Sequence, residues 1–236
     1  MMKTEVMMVL GIWVLFSAGI GARLIPSILD DISLPQARPL SEVAEPWRPS
    51  RTLGCGLGPL RVMVSHLAWL QAHNAWEQQE PDVMEGWLRI VTRTNPENLH
   101  FWIEGTRMIA WDTPRWKNPD NDATLRHAAA RHALSFLQDG VRFHPHTPEI
   151  HAEAAWIWLY GLEEPVRAGE LLALASFQPG APLHYARVRG DLLLHTGRIE
   201  EAMGWYRRLL HITAHDPDAQ RFFQMRLQEI EEGENE

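Results

Sequence analysis

A chain of 236 residues with 45% hydrophobic residues has room for one or two domains and enough apolar material for a core. Its formal net charge of -8 argues against a nucleic-acid binder, which normally carries a basic face, so no nucleic-acid partner is expected. The single cysteine, Cys55, excludes an internal disulfide and a cysteine-based zinc knuckle. Eleven tryptophans stand against three tyrosines, which suits either large core side chains or an aromatic binding face.

From Val6 to Ala22 nothing is charged, a run of 17 residues at the short limit for crossing a bilayer as a helix. Lys3 precedes the run and Arg23 follows it. An uncleaved anchor, a cleaved signal sequence and a buried helix are all compatible with this pattern. The basic start favours a soluble part outside the cytoplasm, that is, periplasmic. Residues 23–53 carry Pro26, Pro35, Pro39, Pro46 and Pro49 and hold no helical period. Prolines this dense favour extended backbone, as a spacer or as a strap on the folded domain.

The stretch LGCGLGPLR, residues 53–61, looks at first like a phosphate-cradling loop. It lacks the preceding strand and the lysine that such loops need. Cys55 lies too far beyond the apolar run for lipid attachment and has no partner for redox work. The stretch reads as a boundary where glycines let the chain bend and Pro59 enters a helix.

From Leu60 onward apolar residues recur at helical spacing and the turns carry proline or glycine. Ala133, Leu137, Gly140, Phe143 and Pro145 describe an amphipathic helix with small and large residues alternating, stopped by proline. Met84, Leu88, Val91 and Pro96 repeat the same spacing. The last copy, HYARVRGDLLLHTGRIEEAMGWYRRLLHITAHDP, has Gly190, a turn at Gly197, then Ala202, Tyr206, Leu209 and Ile212.

This pattern resembles a tetratricopeptide repeat (TPR), with Gly190 at the first-helix glycine and Ala202 and Tyr206 at the A-x3-F pair. Ala186 and Leu193 replace the first-helix aromatics, and Pro217 comes late. The resemblance implies an all-α fold of stacked antiparallel helix hairpins, a TPR-like α-solenoid, preceded by an N-terminal hydrophobic helix. Four units are expected, at roughly 60–96, 97–146, 147–180 and 181–217. In the second, Phe101, Gly105 and Met108 take the W, G and Y positions, and an insertion runs from Asp112 to Asp122. In the third, Ala168, Leu172, Ala175 and Pro179 are readable, while Gly161 interrupts its first helix early. Phe222, Phe223, Leu227 and Ile230 would cover the open end of the stack, with charges facing water.

In the first unit His66, Trp69, His73 and Trp76 form one stripe on one helix face. By similarity to the repeat family they face the inner, concave surface. Trp102 is the matching position of the second unit, and His184, Arg187 and Asp191 are those of the fourth. Such a groove suits a peptide or helix of a protein partner; helix–helix packing is the alternative for the same residues. His144, His146 and His151, with Glu149, could supply metal ligands, although Pro145 and Pro148 make that stretch a turn. His127 and His132 are five apart, on different faces. In the insertion, read as a loop, Trp116 stands between Arg115 and Lys117.

No nucleophile elbow, HExxH or Walker lysine is present, and Glu163 and Glu164 are adjacent in a turn. No catalytic residue, metal or cofactor is therefore assigned. Residues 1–22 are expected as transmembrane anchor or signal sequence, 23–53 as proline-rich linker, 54–231 as the TPR-like domain and 232–236 as acidic tail. The function expected is a membrane-tethered scaffold for protein–protein interaction in an envelope assembly for secretion, pili or polysaccharide. The alternatives are a helical-repeat enzyme or metal-binding protein using His144, His146 and His151, and a lipid-surface protein using the tryptophans.

Overall fold

Prolines set where several helices begin. Pro81, Pro148 and Pro165 each occupy the first turn of a helix, where a missing N–H costs no hydrogen bond. The computed structural model describes residues 58–117 and 122–233, and every regular element among these is helical. The helices are α1 (Gly58–Glu77), α2 (Pro81–Thr94), α3 (Leu99–Arg107), α4 (Thr113–Lys117) and α5 (Ala123–Val141). They continue with α6 (Pro148–Trp156), α7 (Pro165–Ser176), α8 (Leu183–His195), α9 (Ile199–Ile212) and α10 (Pro217–Gly233). The apolar run 6–22, the spacer 23–53 and Cys55 lie outside the described residues, as do 118–121 of the insertion and 234–236 of the acidic tail.

Neighbouring helices pair along the chain: α1 on α2, α3 on α5, α6 on α7, α8 on α9, and α10 on α9. The repeated small-and-large pattern is the buried side of these pairs. Met84, Leu88 and Val91 of α2 are fully buried, as are Ala133 and Leu137 of α5, Ala168, Leu172 and Ala175 of α7, and Ala202 and Tyr206 of α9. On α1 the buried face is Ser65, Ala68, Ala72 and Ala75, small residues that let α2 approach closely. Burying each large side chain among them contributes roughly 1.5–3 kcal/mol. Two glycines mark where a ring comes too near for a methyl group. A Cβ on Gly140 would lie 2.8 Å from the Trp102 ring, and one on Gly190 would overlap Tyr206.

Two helices contain a turn that the sequence pattern does not announce. After α3 the chain runs through a π-helical segment, Met108–Asp112, closed by Thr113 N–H donating to the Met108 carbonyl. After α6 it runs through a second, Ile157–Gly161, closed by Leu162 N–H on the Ile157 carbonyl. Each inserts one residue and rotates the residues beyond it by about 100° relative to an uninterrupted α-helix. The two are copies of one device. Trp102 Nε1 donates to the carbonyl of Pro96, six residues back, at 2.8 Å. His151 Nε2 donates to the carbonyl of Pro145, also six residues back, at 2.9 Å. Each ring thus satisfies a proline carbonyl just ahead of its own helix, and each stands six residues before the π segment.

This corrects two expectations. Gly161 does not interrupt the first helix of the third unit early; it completes it, and a Cβ there would lie 2.8 Å from Ala130 of α5. The stretch from Asp112 does not start as a loop, because the helix carries on through α4 to Lys117.

At the far end, Phe223 is fully buried and Leu227 nearly so, with Phe222 and Ile230 packed beside them against Tyr206 and Leu209. On α1 the face turned from α2 is different. Leu60, Met63, Leu67 and Leu70 form an apolar stripe that is 47% to 61% exposed.

Candidate functional site

The aromatic stripe of α1 runs beside α3. Trp69 meets Phe101 with ring centres 5.2 Å apart and His100 edge-on at 5.4 Å. His73 stacks on Trp76 at 5.1 Å. The indole N–H of Trp76 donates to Oδ2 of Asp112 at 2.7 Å, and the Trp116 ring meets Trp76 edge-on at 6.2 Å. Asp112 closes the π segment that follows α3, so that extra residue sets the azimuth from which the carboxylate reaches Trp76.

Between α1 and α3 these side chains leave a cleft of about 400 Å³. It is lined by Trp69, Leu70, His73 and Trp76 from α1, His100, Glu104 and Arg107 from α3, and Met108 and Asp112 from the π segment. The volume suits a side chain or a short peptide segment. Its electrostatics are lopsided. Arg107 donates to Glu104 at 2.8 Å and, through Nε and a terminal nitrogen, to Glu153 at 3.1 and 2.8 Å. The Glu153 side chain is 4% exposed and that of Arg107 47%. The hydrogen bond with Glu153 holds the guanidinium even more firmly protonated than usual. Arg107 is thereby neutralised by two carboxylates. Farther along the same side, burial pushes the Tyr185 phenol above its ordinary pKa, and the charges of Glu149 and Glu153 add to the shift.

The expected groove residues divide. Trp69, His73 and Trp76 line the cleft. His66 is not among the lining residues; it is exposed, with its ring 5.7 Å from Phe101. Trp102 does not line it: the side chain is in the core, 4% exposed, between Phe136 and Phe143, with its N–H on Pro96. A tryptophan at helical spacing serves a core as readily as a groove, and here the Gly140 gap receives it. His184 is exposed, edge-on to Tyr185 at 4.3 Å. Arg187 lies over the Phe222 ring at 4.1 Å, and Asp191 accepts from Tyr206 and Arg226. These two residues hold α10 in place and are not among those lining the cleft. Trp116 belongs to α4 rather than to a loop, half-buried against Trp76.

The histidine cluster has other work. His144 Nε2 donates to the Pro96 carbonyl at 3.1 Å and His151 to that of Pro145. His146 is exposed. Among the described residues no group of three or more histidine, cysteine or acidic side chains comes together to hold a metal.

Sequence reasoning missed Leu70, His100, Glu104, Arg107, Met108 and Asp112. The i, i+3 spacing of Glu104 and Arg107 was the available signal. The turn that aims Asp112 left none.

No family model matches the chain, and no curated protein matches it. Among solved structures it is similar to the crystal structure of a thermophilic TPR protein of Thermus thermophilus. The identity is 20%, the match covers 72% of this chain and 97% of that one, and the TM-score is 0.37. A superposition this loose transfers no residue roles.

Proposed function

We propose that the chain is a helical scaffold that binds a protein partner in the cleft between α1 and α3. The observation that carries this is the cleft itself: half-buried indoles of Trp69 and Trp76, an exposed Leu70, and fixed polar groups at the rim. Apolar anchors with a few oriented polar groups are what a partner side chain needs for affinity and register. The reading is one of binding, because the acidic groups of the cleft are held by Arg107 and Trp76 and no nucleophile stands beside them. The repeat-like helical pairing supports the same reading, since stacked hairpins offer extended surfaces.

The apolar run 6–22 supports a membrane tether in this proposal, with the helical domain outside the cytoplasm as part of an envelope assembly. Among the described residues no helix is long and apolar enough to cross a membrane.

The test is site-directed photocrosslinking in native membranes. A crosslinker at Leu70, in the cleft, is expected to trap one discrete protein. The same crosslinker at the exposed Arg131 of α5 serves as control. Lipid adducts alone, or equal yields at both sites, would overturn the proposal.

A further inference from the structure

We infer that the partner enters the cleft with a cationic side chain, a lysine or arginine of a polypeptide. This deepens the binding proposal above and rests on it. The lining of the cleft asks for two different things of one guest. Trp69, Leu70 and Met108 are apolar and would lie along an aliphatic stem. Glu104 and Asp112, one turn to either side of Met108 along the chain, supply carboxylates to the same lining.

The charge balance decides the sign of the head group. Among the described residues Arg107 is the one arginine that lines the cleft and no lysine does, the other basic side chains of the lining being His73 and His100. Its charge is already divided between Glu104 and the buried Glu153. Asp112 is met by a neutral donor, the Trp76 indole, which uses one of its oxygens, and no ion pair to its charge is formed among the described residues. Glu77, outside the lining itself, adds a further carboxylate 3.7 Å from Nε2 of the lining residue His73. A side chain with an apolar stem and a cationic head matches both halves, and a carboxylate guest would meet Asp112 and Glu104 as like charges. The chain's net charge of -8 draws a basic partner from a distance as well.

The Trp76 indole N–H, bonded to Asp112, is a built-in reporter. The full-length chain is titrated with the N-acetyl methylamides of arginine, lysine, norleucine, citrulline and glutamate while the indole N–H resonances are followed by NMR. Trp76→Phe assigns the signal. The arginine and lysine probes are expected to shift it saturably. Citrulline and norleucine are expected to bind at least tenfold more weakly, and Asp112→Asn and Glu104→Gln each to weaken the cationic probes at least fivefold. Two conservative variants at separate positions guard against one that fails to fold. Norleucine binding as well as lysine, or glutamate binding best, would overturn the cationic guest while leaving the cleft a binding site. An absence of saturable shift with every probe would overturn the cleft as well.

Discussion

Alanine at Gly190 should destabilise the protein, although alanine is the better helix former. In a helix interior glycine costs about 0.5–1 kcal/mol relative to alanine, so the change on its own favours folding. At Gly190 the new methyl group falls inside the ring and hydroxyl of Tyr206. Tyr206 cannot swing away: it is fully buried, its ring lies 6.0 Å from that of Phe223, and its hydroxyl donates to Asp191. Overpacking of this kind costs roughly 1–3 kcal/mol, and a methyl group inside the ring belongs at the upper end of that range, so the net loss should be about 2 kcal/mol. Gly204 of α9 and Gly86 of α2 are the controls, because a Cβ at either meets nothing within 4 Å. Alanine there should stabilise by roughly 0.5–1 kcal/mol. Urea unfolding followed by far-ultraviolet circular dichroism measures all three. In a Tyr206→Leu background the Gly190→Ala penalty should shrink or reverse. If Gly190→Ala is as stable as the parent while Gly204→Ala is stabilised, the close approach of α8 and α9 at this point is wrong.

Burial, together with the charge of Asp191, pushes the Tyr206 phenol from 10.0 up to about 12. The unfolded chain then releases this proton near pH 10 and the folded chain only near 12. Between those values the unfolded state binds fewer protons, so stability is intact below pH 10 and falls as the pH rises toward 12, by roughly 2–3 kcal/mol. Tyr206→Phe should flatten that fall in alkaline unfolding curves. Arg107→Ala strands the carboxylate of Glu153, which is 4% exposed, and should cost roughly 2–3 kcal/mol; Glu153→Gln leaves a guanidinium that water can reach and should cost less. Equal losses in urea would contradict that asymmetry. Trp69→Ala and Trp76→Ala should each reduce crosslinking from Leu70 several-fold while most helicity remains. A collapse of the circular dichroism signal instead would make them core residues.

The helical architecture was legible because small and large residues recur where helices touch. Met84, Leu88 and Val91 match Ala133, Leu137 and Gly140 in spacing, and all six are buried. A third of the cleft lining was legible for a similar reason: Trp69, His73 and Trp76 share a face that any helix would give them. The rest was not. A π turn has no residue preference strong enough to read, so nothing flagged Asp112 as the partner of Trp76. Trp102 and Trp69 look alike in sequence and differ only in whether a glycine of another helix stands opposite. His144 and His151 were read for their ability to bind metal, while what mattered was a nearby proline carbonyl in need of a donor.

The first π segment makes the cleft depend on the number of residues rather than on their kinds. Removing any one residue between 108 and 112 would let α3 run on as ordinary helix, and Asp112 and Trp116 would swing by about 100° away from Trp76. Most substitutions in the same stretch would leave that aim untouched. A descendant shortened there by one residue would keep almost every letter of the site and lose the site, whereas one with many letters changed and the length kept would retain it. Gaps, more than mismatches, are therefore where the evolutionary history of this cleft would be written.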